Sequence, residues 1–364
     1  MQKYFIPTLL GSFVLLTSGN ADAPGTAHKP ERVDQSHEHT AVVLSHPPYY
    51  VVASFQGLAL KPSGSNLYYA VEADPLPAPS PNWRIHEVHP DYDFGFDLGL
   101  RGILHCSNAS ITVDWEHFDS LNSNHRNLPV QDMIGPFFEI GPDASFYTKA
   151  KGHAFFRFNE VNLDYRVLVN FGDRLKTELF AGVSFAKIRQ VLHTHFSDDT
   201  GGNTRTIKIP SLFWGVGPQA GVDFSYRIVE GFQFVGKGMA SLYAGRMKNH
   251  TTYKSVSPFL APLGITPPNQ QRTSMSEKSQ VVPGFEGKLG LCYAYLFCKH
   301  YMLKLEMGWQ AQIYLDAIQS TDMSSQVILP PVPQETVGVY ARTFQRNVSN
   351  FALAGPYASI ELGF

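Results

Sequence analysis

The feature that most constrains this chain is strict alternation of apolar and polar residues over long segments. The stretch YMLKLEMGWQAQIYLD, residues 301–316, sets tyrosine, leucine, methionine, tryptophan and isoleucine on one face against lysine, glutamate and glutamine. Such a period of two indicates a strand with two different faces. Ordinary strands average about 5–6 residues, and these segments are far longer. Long two-faced strands are typical of a barrel whose outside meets lipid and whose inside meets water.

The spacing of the strands predicts a closed membrane barrel. Short connections near 105–108 and 172–174 alternate with long ones rich in Pro, Ser, Asn and Thr. We therefore expect an all-β, transmembrane, antiparallel up-and-down β-barrel of about ten strands, with short periplasmic turns and long extracellular loops. A hairpin from 67–73 and 84–88 would raise the count to twelve or more. The ten segments lie near 50–61, 92–104, 109–118, 155–171, 175–196, 211–227, 231–248, 281–297, 301–320 and 350–364.

The N-terminal segment indicates export. A positive charge at Lys3 precedes an apolar run shorter than the roughly 20 residues of a spanning helix, and small residues follow it. We expect a signal peptide over 1–21, a flexible periplasmic lead-in over 22–49 and the barrel domain over 50–364. An N-terminal anchor and a metal-binding histidine tract in the lead-in are the alternatives. The net charge of −2 gives no indication of a nucleic-acid partner.

The polar faces supply the candidate functional residues. Ten acidic and five basic side chains are predicted to line the lumen, where fixed charges set ion selectivity. The alternative is that they pair with one another and plug a narrow barrel, because small barrels fill with side chains. The predicted pore-lining residues are Asp93, Asp97, Arg101, Asp114, Glu116, Glu160, Asp164, Arg166, Asp223, Lys237, Glu286, Lys288, Lys304, Glu306 and Asp316.

The last segment, YASIELGF, keeps its apolar face to the final residue. This pattern resembles the β-signal that the outer-membrane barrel assembly machinery recognises. A closed barrel has no edge, so this strand must pair with the first one. The residues of the expected assembly signal are Ala358, Ile360, Leu362 and Phe364.

Five stretches resemble the Legionella-type major outer membrane protein family, which is porin-like and has relatives in Chlamydia-related bacteria. They are LKPSGSNLYYA, VHPDYDFGFDLGL, DWEHF, FWGVGPQAGVDFSY and KGMASLYAG, in that order along 50–364. The resemblance implies a bacterial outer-membrane barrel with a structural, porin-like role and no catalytic residues. The family's cysteines are associated with disulfide cross-linking of the envelope. This chain has three, of which Cys106 and Cys298 are expected in periplasmic turns and could cross-link, while Cys292 faces the lumen.

Three functions follow from this sequence. The first is a porin for passive diffusion of small hydrophilic solutes, which is also a structural envelope protein. The second is a plugged structural or adhesin barrel that contacts a host or neighbouring proteins. The third is an outer-membrane protease, in which a His–Asp pair activates water; the alternative there is ordinary polar loop residues. The protease candidates are His193, His195, Asp198 and Asp199.

We expect that the protein is not an enzyme and needs no cofactor or metal. Its expected partners are outer-membrane lipid, the assembly machinery and a second copy of the chain.

Overall fold

The computed structural model describes eleven ranges of the chain, all inside one compact unit, Ala41–Phe364. The predicted signal peptide and lead-in lie outside them, as do Cys106 and Cys298. Within the described ranges no helix is long and apolar enough to cross a membrane. The described residues are 50–64, 66–73, 83–104, 108–129, 133–136, 147–172, 174–256, 269–274, 276–297, 301–328 and 338–364.

Ten long antiparallel strands form a closed ring. The predicted all-β barrel and its count of ten strands are therefore confirmed. The ring strands are β1 (Val51–Ser63), β4 (Asp93–Ile103), β5 (Ala109–Asn127), β7 (Lys149–Phe171), β8 (Leu175–Ser197), β9 (Thr204–Val229), β10 (Phe232–Val256), β12 (Lys278–Phe297), β13 (Tyr301–Ile328) and β14 (Gly338–Gly363).

The ring closes where β14 pairs with β1, with Val52 opposite Gly363. The backbone N–H groups of Tyr50 and Val51 both donate to the carbonyl oxygen of Phe364, at 3.1 Å. The last strand is thus paired on both sides, with β1 and with β13. The proposed signal residues share its outer face, where Ile360, Leu362 and Phe364 are exposed.

Four shorter strands lie outside the ring: β2 (Tyr68–Ala73), β3 (Trp83–Glu87), β6 (Met133–Pro136) and β11 (Asn269–Ser274). The possible extra hairpin does form, as β2 and β3. It does not enter the ring, because β2 pairs on its other side with β6 to make a separate three-stranded sheet. The short strand β11 extends the pairing of β10.

The outer face carries a continuous apolar belt. On β7 it runs from Val161 to Val169, and its first row across the strands is Val161, Phe185 and Val216. These side chains are 40–48% exposed, which suits contact with lipid. The length matches the 9–11 residues that a strand needs to cross the hydrocarbon core.

The extracellular half of the interior holds a buried apolar core, together with buried polar side chains such as Gln190, Arg205 and Asn249. The apolar core joins the inner faces of the ring to the three-stranded sheet, which seals the upper end. Tyr69 of β2 lies over Gly152 of β7, where a Cβ atom would come within 2.6 Å of the tyrosine ring. Only glycine allows this close approach.

One predicted lumen residue lies elsewhere. On β13 the alternation of inward and outward side chains continues as far as Tyr314. A β-bulge between Tyr314 and Ile318 then shifts the pairing register with β14. Asp316 sits in this bulge with a φ of 56°. Its side chain is exposed, and its backbone N–H donates to the side-chain oxygen of Asn350. The expectation that Asp316 lines the lumen is corrected, because the bulge ends the simple alternation.

Candidate functional site

The periplasmic half of the interior encloses a cavity of about 250 Å³, which we call the vestibule. Side-chain exposure falls along the barrel, from 28% at Arg101 to 1% at Glu160, so the vestibule opens toward the short turns. Alternation on nine ring strands brings its charges together. Its charged lining residues are Asp97, Arg101, Asp114, Arg166, Lys176, Glu178, Asp223, Lys237, Lys288, Lys304, Glu306 and Glu361.

Arg166 is the centre of one ionic cluster. It donates a short hydrogen bond to Asp223 and lies 3.5 Å from Asp164 and 3.8 Å from Glu178. Its guanidinium carbon also lies 4.5 Å from the ring centroid of Phe180. The side chain is 5% exposed, and a guanidinium group this buried requires such partners.

A second cluster lies near the rim of the vestibule. The ammonium group of Lys304 lies 2.9 Å from Glu306 and 3.0 Å from Glu361. The hydroxyl group of Tyr357 donates to Glu306 at 2.7 Å. Arg101 pairs in turn with Glu178, at 3.1 Å, which connects the rim to the Arg166 cluster.

The third cluster is a pair of lysines that share one carboxylate. Lys237 lies 3.1 Å from Glu286, and Lys288 lies 3.4 Å from the same group and 3.9 Å from Asp97. The charges of the vestibule therefore largely neutralise one another.

Above the charges, side-chain amides form a hydrogen-bonded layer. Lys288 donates to the side-chain oxygen of Gln56 at 3.2 Å. The side-chain amide of Gln56 in turn donates to the side-chain oxygen of Gln310 at 2.8 Å. Gln310 and Gln312 donate to Glu116, at 3.3 Å and 2.5 Å. Glu116, a predicted pore-lining residue, is thus enclosed by amides.

Glu160 marks the upper limit of the polar interior. It accepts a short hydrogen bond from Tyr243 and one from Ser184 at 3.2 Å, while its other oxygen has no partner. The remaining predicted residue, Asp93, lies farther out and accepts a hydrogen bond from Asn122 at 3.3 Å.

An aromatic layer closes the interior beyond Glu160. The ring centroid of Phe158 lies 5.4 Å from that of Tyr314 and 5.9 Å from that of Phe351. Phe156 stacks on Phe351 at 6.2 Å. Both Phe158 and Phe351 are fully buried, so the described side chains exclude solvent from these two rings.

Several interior residues were not among the predicted pore-lining residues. Lys176 and Glu178 lie in a segment whose alternation is poor on the printed sequence, and Glu361 lies within the expected assembly signal. The polar position of Glu361 between apolar neighbours is the signal that could have identified it. The alternation of 301–316 does place Gln310 on the inward face, but its hydrogen bonds to Gln56 and Glu116 are not visible in the sequence.

The protease candidates at the rim do not form a catalytic pair in the described part of the chain. His195 contacts the hydroxyl group of Thr206, at 3.1 Å, and His193 stacks on His153. Asp198 accepts hydrogen bonds from Asn203, while Asp199 accepts one from Thr148 and lies 3.3 Å from Lys149.

The described residues contain no group of three or more side chains able to hold a metal ion. Cys292 is a buried free thiol on the inner face of β12. The fate of the two turn cysteines stays a prediction.

Comparison with solved structures gives distant matches. The outer membrane protease OmpT from Escherichia coli is 12% identical, with a TM-score of 0.42, and the match covers 89% of this chain and all of that one. A Pseudomonas aeruginosa FadL homologue is 4% identical, with a TM-score of 0.23 and coverages of 86% and 90%. The toluene transporter TodX of P. putida is 8% identical, with a TM-score of 0.20 and the same coverages.

No curated protein matches the chain. The family model described as the Legionella pneumophila major outer membrane protein precursor matches residues 50–364, the whole predicted barrel domain. The chain is therefore an outer-membrane protein that belongs to the Legionella major outer membrane protein family.

Proposed function

We propose that this protein is a structural barrel of the outer membrane whose lumen is closed, and not an open porin. The observation that supports this most is the aromatic layer. Phe158, Tyr314 and Phe351 pack across the interior above Glu160, and each is at most 3% exposed. Protein interiors packed in this way hold few voids as large as a water molecule, so hydrated solutes have no static path.

The paired charges support the same function. Arg166, Lys237 and Lys304 each contact at least one carboxylate, and neutralised charges offer a weak field to a passing ion. The proposal includes no catalytic role.

A gated porin is the second candidate, and the vestibule favours it. A cavity with charges of both signs that opens toward the periplasm resembles one half of a channel. Conduction would then need the aromatic layer to move.

Planar-bilayer conductance of the purified protein separates the two candidates. We expect silence from the wild type and new steps from Phe158→Ala/Phe351→Ala, which removes two rings of the layer. Phe158→Leu/Phe351→Leu, which keeps the layer filled, is the matched control and should stay silent. Stable, voltage-independent steps from the wild type would overturn the closed barrel, whether or not the alanine variant folds.

A further inference from the structure

The outer face of β7, β8 and β9 changes character directly above the apolar belt. The row of the belt nearest the extracellular side consists of Val161, Phe185 and Val216. The next row contains Lys187, opposite Asn159 on one side and Trp214 on the other. One row farther out, Arg157 lies opposite Arg189. Basic side chains thus begin where the hydrocarbon contact ends.

The two arginines are an unfavourable pair by themselves. Like charges directly opposite each other on neighbouring strands are destabilising. Both guanidinium groups lie over the ring of Phe155, at 5.3 Å and 5.8 Å from its centroid. Arg157 has a partner in Asp119, at 2.7 Å. Among the described residues, no carboxylate lies within ion-pair distance of Arg189 or Lys187. Such an arrangement suits an anion from outside the chain.

The positive charge continues outward on the same strands. Lys208 lies opposite His193, which lies opposite His153. Lys208 and Lys151 are exposed. On β10, by contrast, Arg246 and Lys248 already share Glu277, so the excess charge is concentrated on β7 to β9.

The other side of the ring has a different composition. Outward positions on β12, β13 and β14 include Val281, Ile313 and Ala352, which are apolar. On β1 the outward face carries a single basic residue, Lys61, which is exposed. These outward positions carry fewer basic side chains than the corresponding face of β7 to β9.

We propose that Lys187, Arg189 and Lys208 bind the phosphate groups of a glycolipid in the outer leaflet, with its acyl chains along Val161, Phe185 and Val216. Guanidinium groups bind phosphate oxygens through two parallel hydrogen bonds, in a bidentate geometry, and lysines contribute single positive charges. Phe155 and Trp214 are aromatic residues at the level where such side chains border lipid headgroups. Basic clusters beside a hydrocarbon region recognise anionic headgroups in this way. The inference does not depend on whether the lumen is closed.

The test uses the purified full-length protein in detergent and bis-phosphorylated lipid A as the probe, with binding measured by native mass spectrometry. Lys187→Gln/Arg189→Gln should weaken binding roughly 20- to 30-fold, since each basic residue near an anionic surface contributes about fivefold. Lys61→Gln, on the far side of the ring, is the matched control and should leave binding unchanged. Heat-modifiable mobility in gels checks that each variant is folded.

Two further arms test the chemistry of the ligand. Fully dephosphorylated lipid A should bind the wild type more weakly than the double variant binds the phosphorylated probe, because it loses the contacts to all of the basic residues and not to two of them. Inorganic phosphate at equal phosphate concentration should not displace the lipid, because it lacks acyl chains. Equal binding of the phosphorylated and dephosphorylated lipids would overturn the proposal. So would a Lys61→Gln variant that loses as much affinity as the double variant.

Discussion

The two halves of the barrel interior are occupied by side chains of different chemistry. In the periplasmic half, Arg166 and Lys237 are held among carboxylates around the vestibule of about 250 Å³. In the extracellular half, the fully buried rings of Phe158 and Phe351 pack against each other. Burying a charge requires a well-placed partner and remains costly, whereas burying an aromatic ring is favourable by itself.

The difference indicates which half provides stability. The aromatic half should contribute most of the free energy of folding in the interior, because its packing also seals the three-stranded sheet onto the ring. The charged half should tolerate change better, since water reaches it from the short-turn end. This comparison can be tested by substitution in each half.

The largest effect is expected from Phe158→Ala. Removing this fully buried ring leaves a cavity between Tyr314 and Phe351, and such truncations cost about 3–5 kcal/mol. Guanidinium unfolding of the protein in lipid vesicles, followed by tryptophan fluorescence, measures the change. Phe155→Ala, at an outward position on the same strand, is the control and should cost clearly less. Equal costs would show that the aromatic layer is not a core.

The second effect compares the two faces of β13 beside the vestibule. Leu305 faces outward and is 43% exposed, so Leu305→Arg should cost roughly 2–4 kcal/mol near the middle of the hydrocarbon core. Glu306→Arg should cost less, because its side chain faces the hydrated vestibule near Glu361, which can accept it as a partner. The same unfolding assay applies. If Glu306→Arg lowers the free energy of unfolding as much as Leu305→Arg does, water does not reach the vestibule and the contrast between the two halves fails.

Much of this architecture could be predicted from the sequence. Alternation located the ten ring strands and the inward charges from Asp97 to Glu306, because a period of two fixes the face of every residue in a regular strand. It failed at Asp316, where a bulge inserts residues and ends the pattern. Strand lengths were underestimated, as in β5, which continues to Asn127. Its outer part leaves the hydrocarbon, so its exposed face becomes polar and resembles a loop.

The aromatic layer could not be predicted, although its residues are visible in the sequence. Phe156 and Phe158 occupy inward positions in an alternating strand, where membrane barrels commonly carry polar side chains. The rule that barrel interiors are polar holds for wide barrels. A ten-stranded ring is narrow enough for side chains to meet across it, and only the structure shows that Phe158 meets Phe351 there.

The smallest effect concerns the three-stranded sheet above the aromatic layer, where one buried carboxylate, Glu72, lies among the basic side chains of Arg84, His86 and Arg126. Glu72 of β2 accepts hydrogen bonds from His86 at 2.7 Å and from Arg126 at 3.1 Å. Burial would raise the pKa of Glu72, but the hydrogen bonds and charges of Arg126 and His86 hold it below its usual range. Because the folded-state pKa is depressed, the stabilisation is present above the unfolded-state value and is lost as the pH falls through the folded one.

Glu72→Gln should therefore cost about 1 kcal/mol of local stability at neutral pH, the usual contribution of such a hydrogen bond. Native-state hydrogen exchange of the β2 amides measures this, since it reports the opening of one segment separately from global unfolding. In the wild type, protection of β2 should decline as the pH falls below about 4, while in the variant it should not. Glu277→Gln, which removes an exposed carboxylate beside Lys248, is the control and should leave β2 unaffected. Identical acid-dependent loss of protection in both variants would mean that the sheet is held by Tyr69 packed over Gly152 and not by its ion pairs.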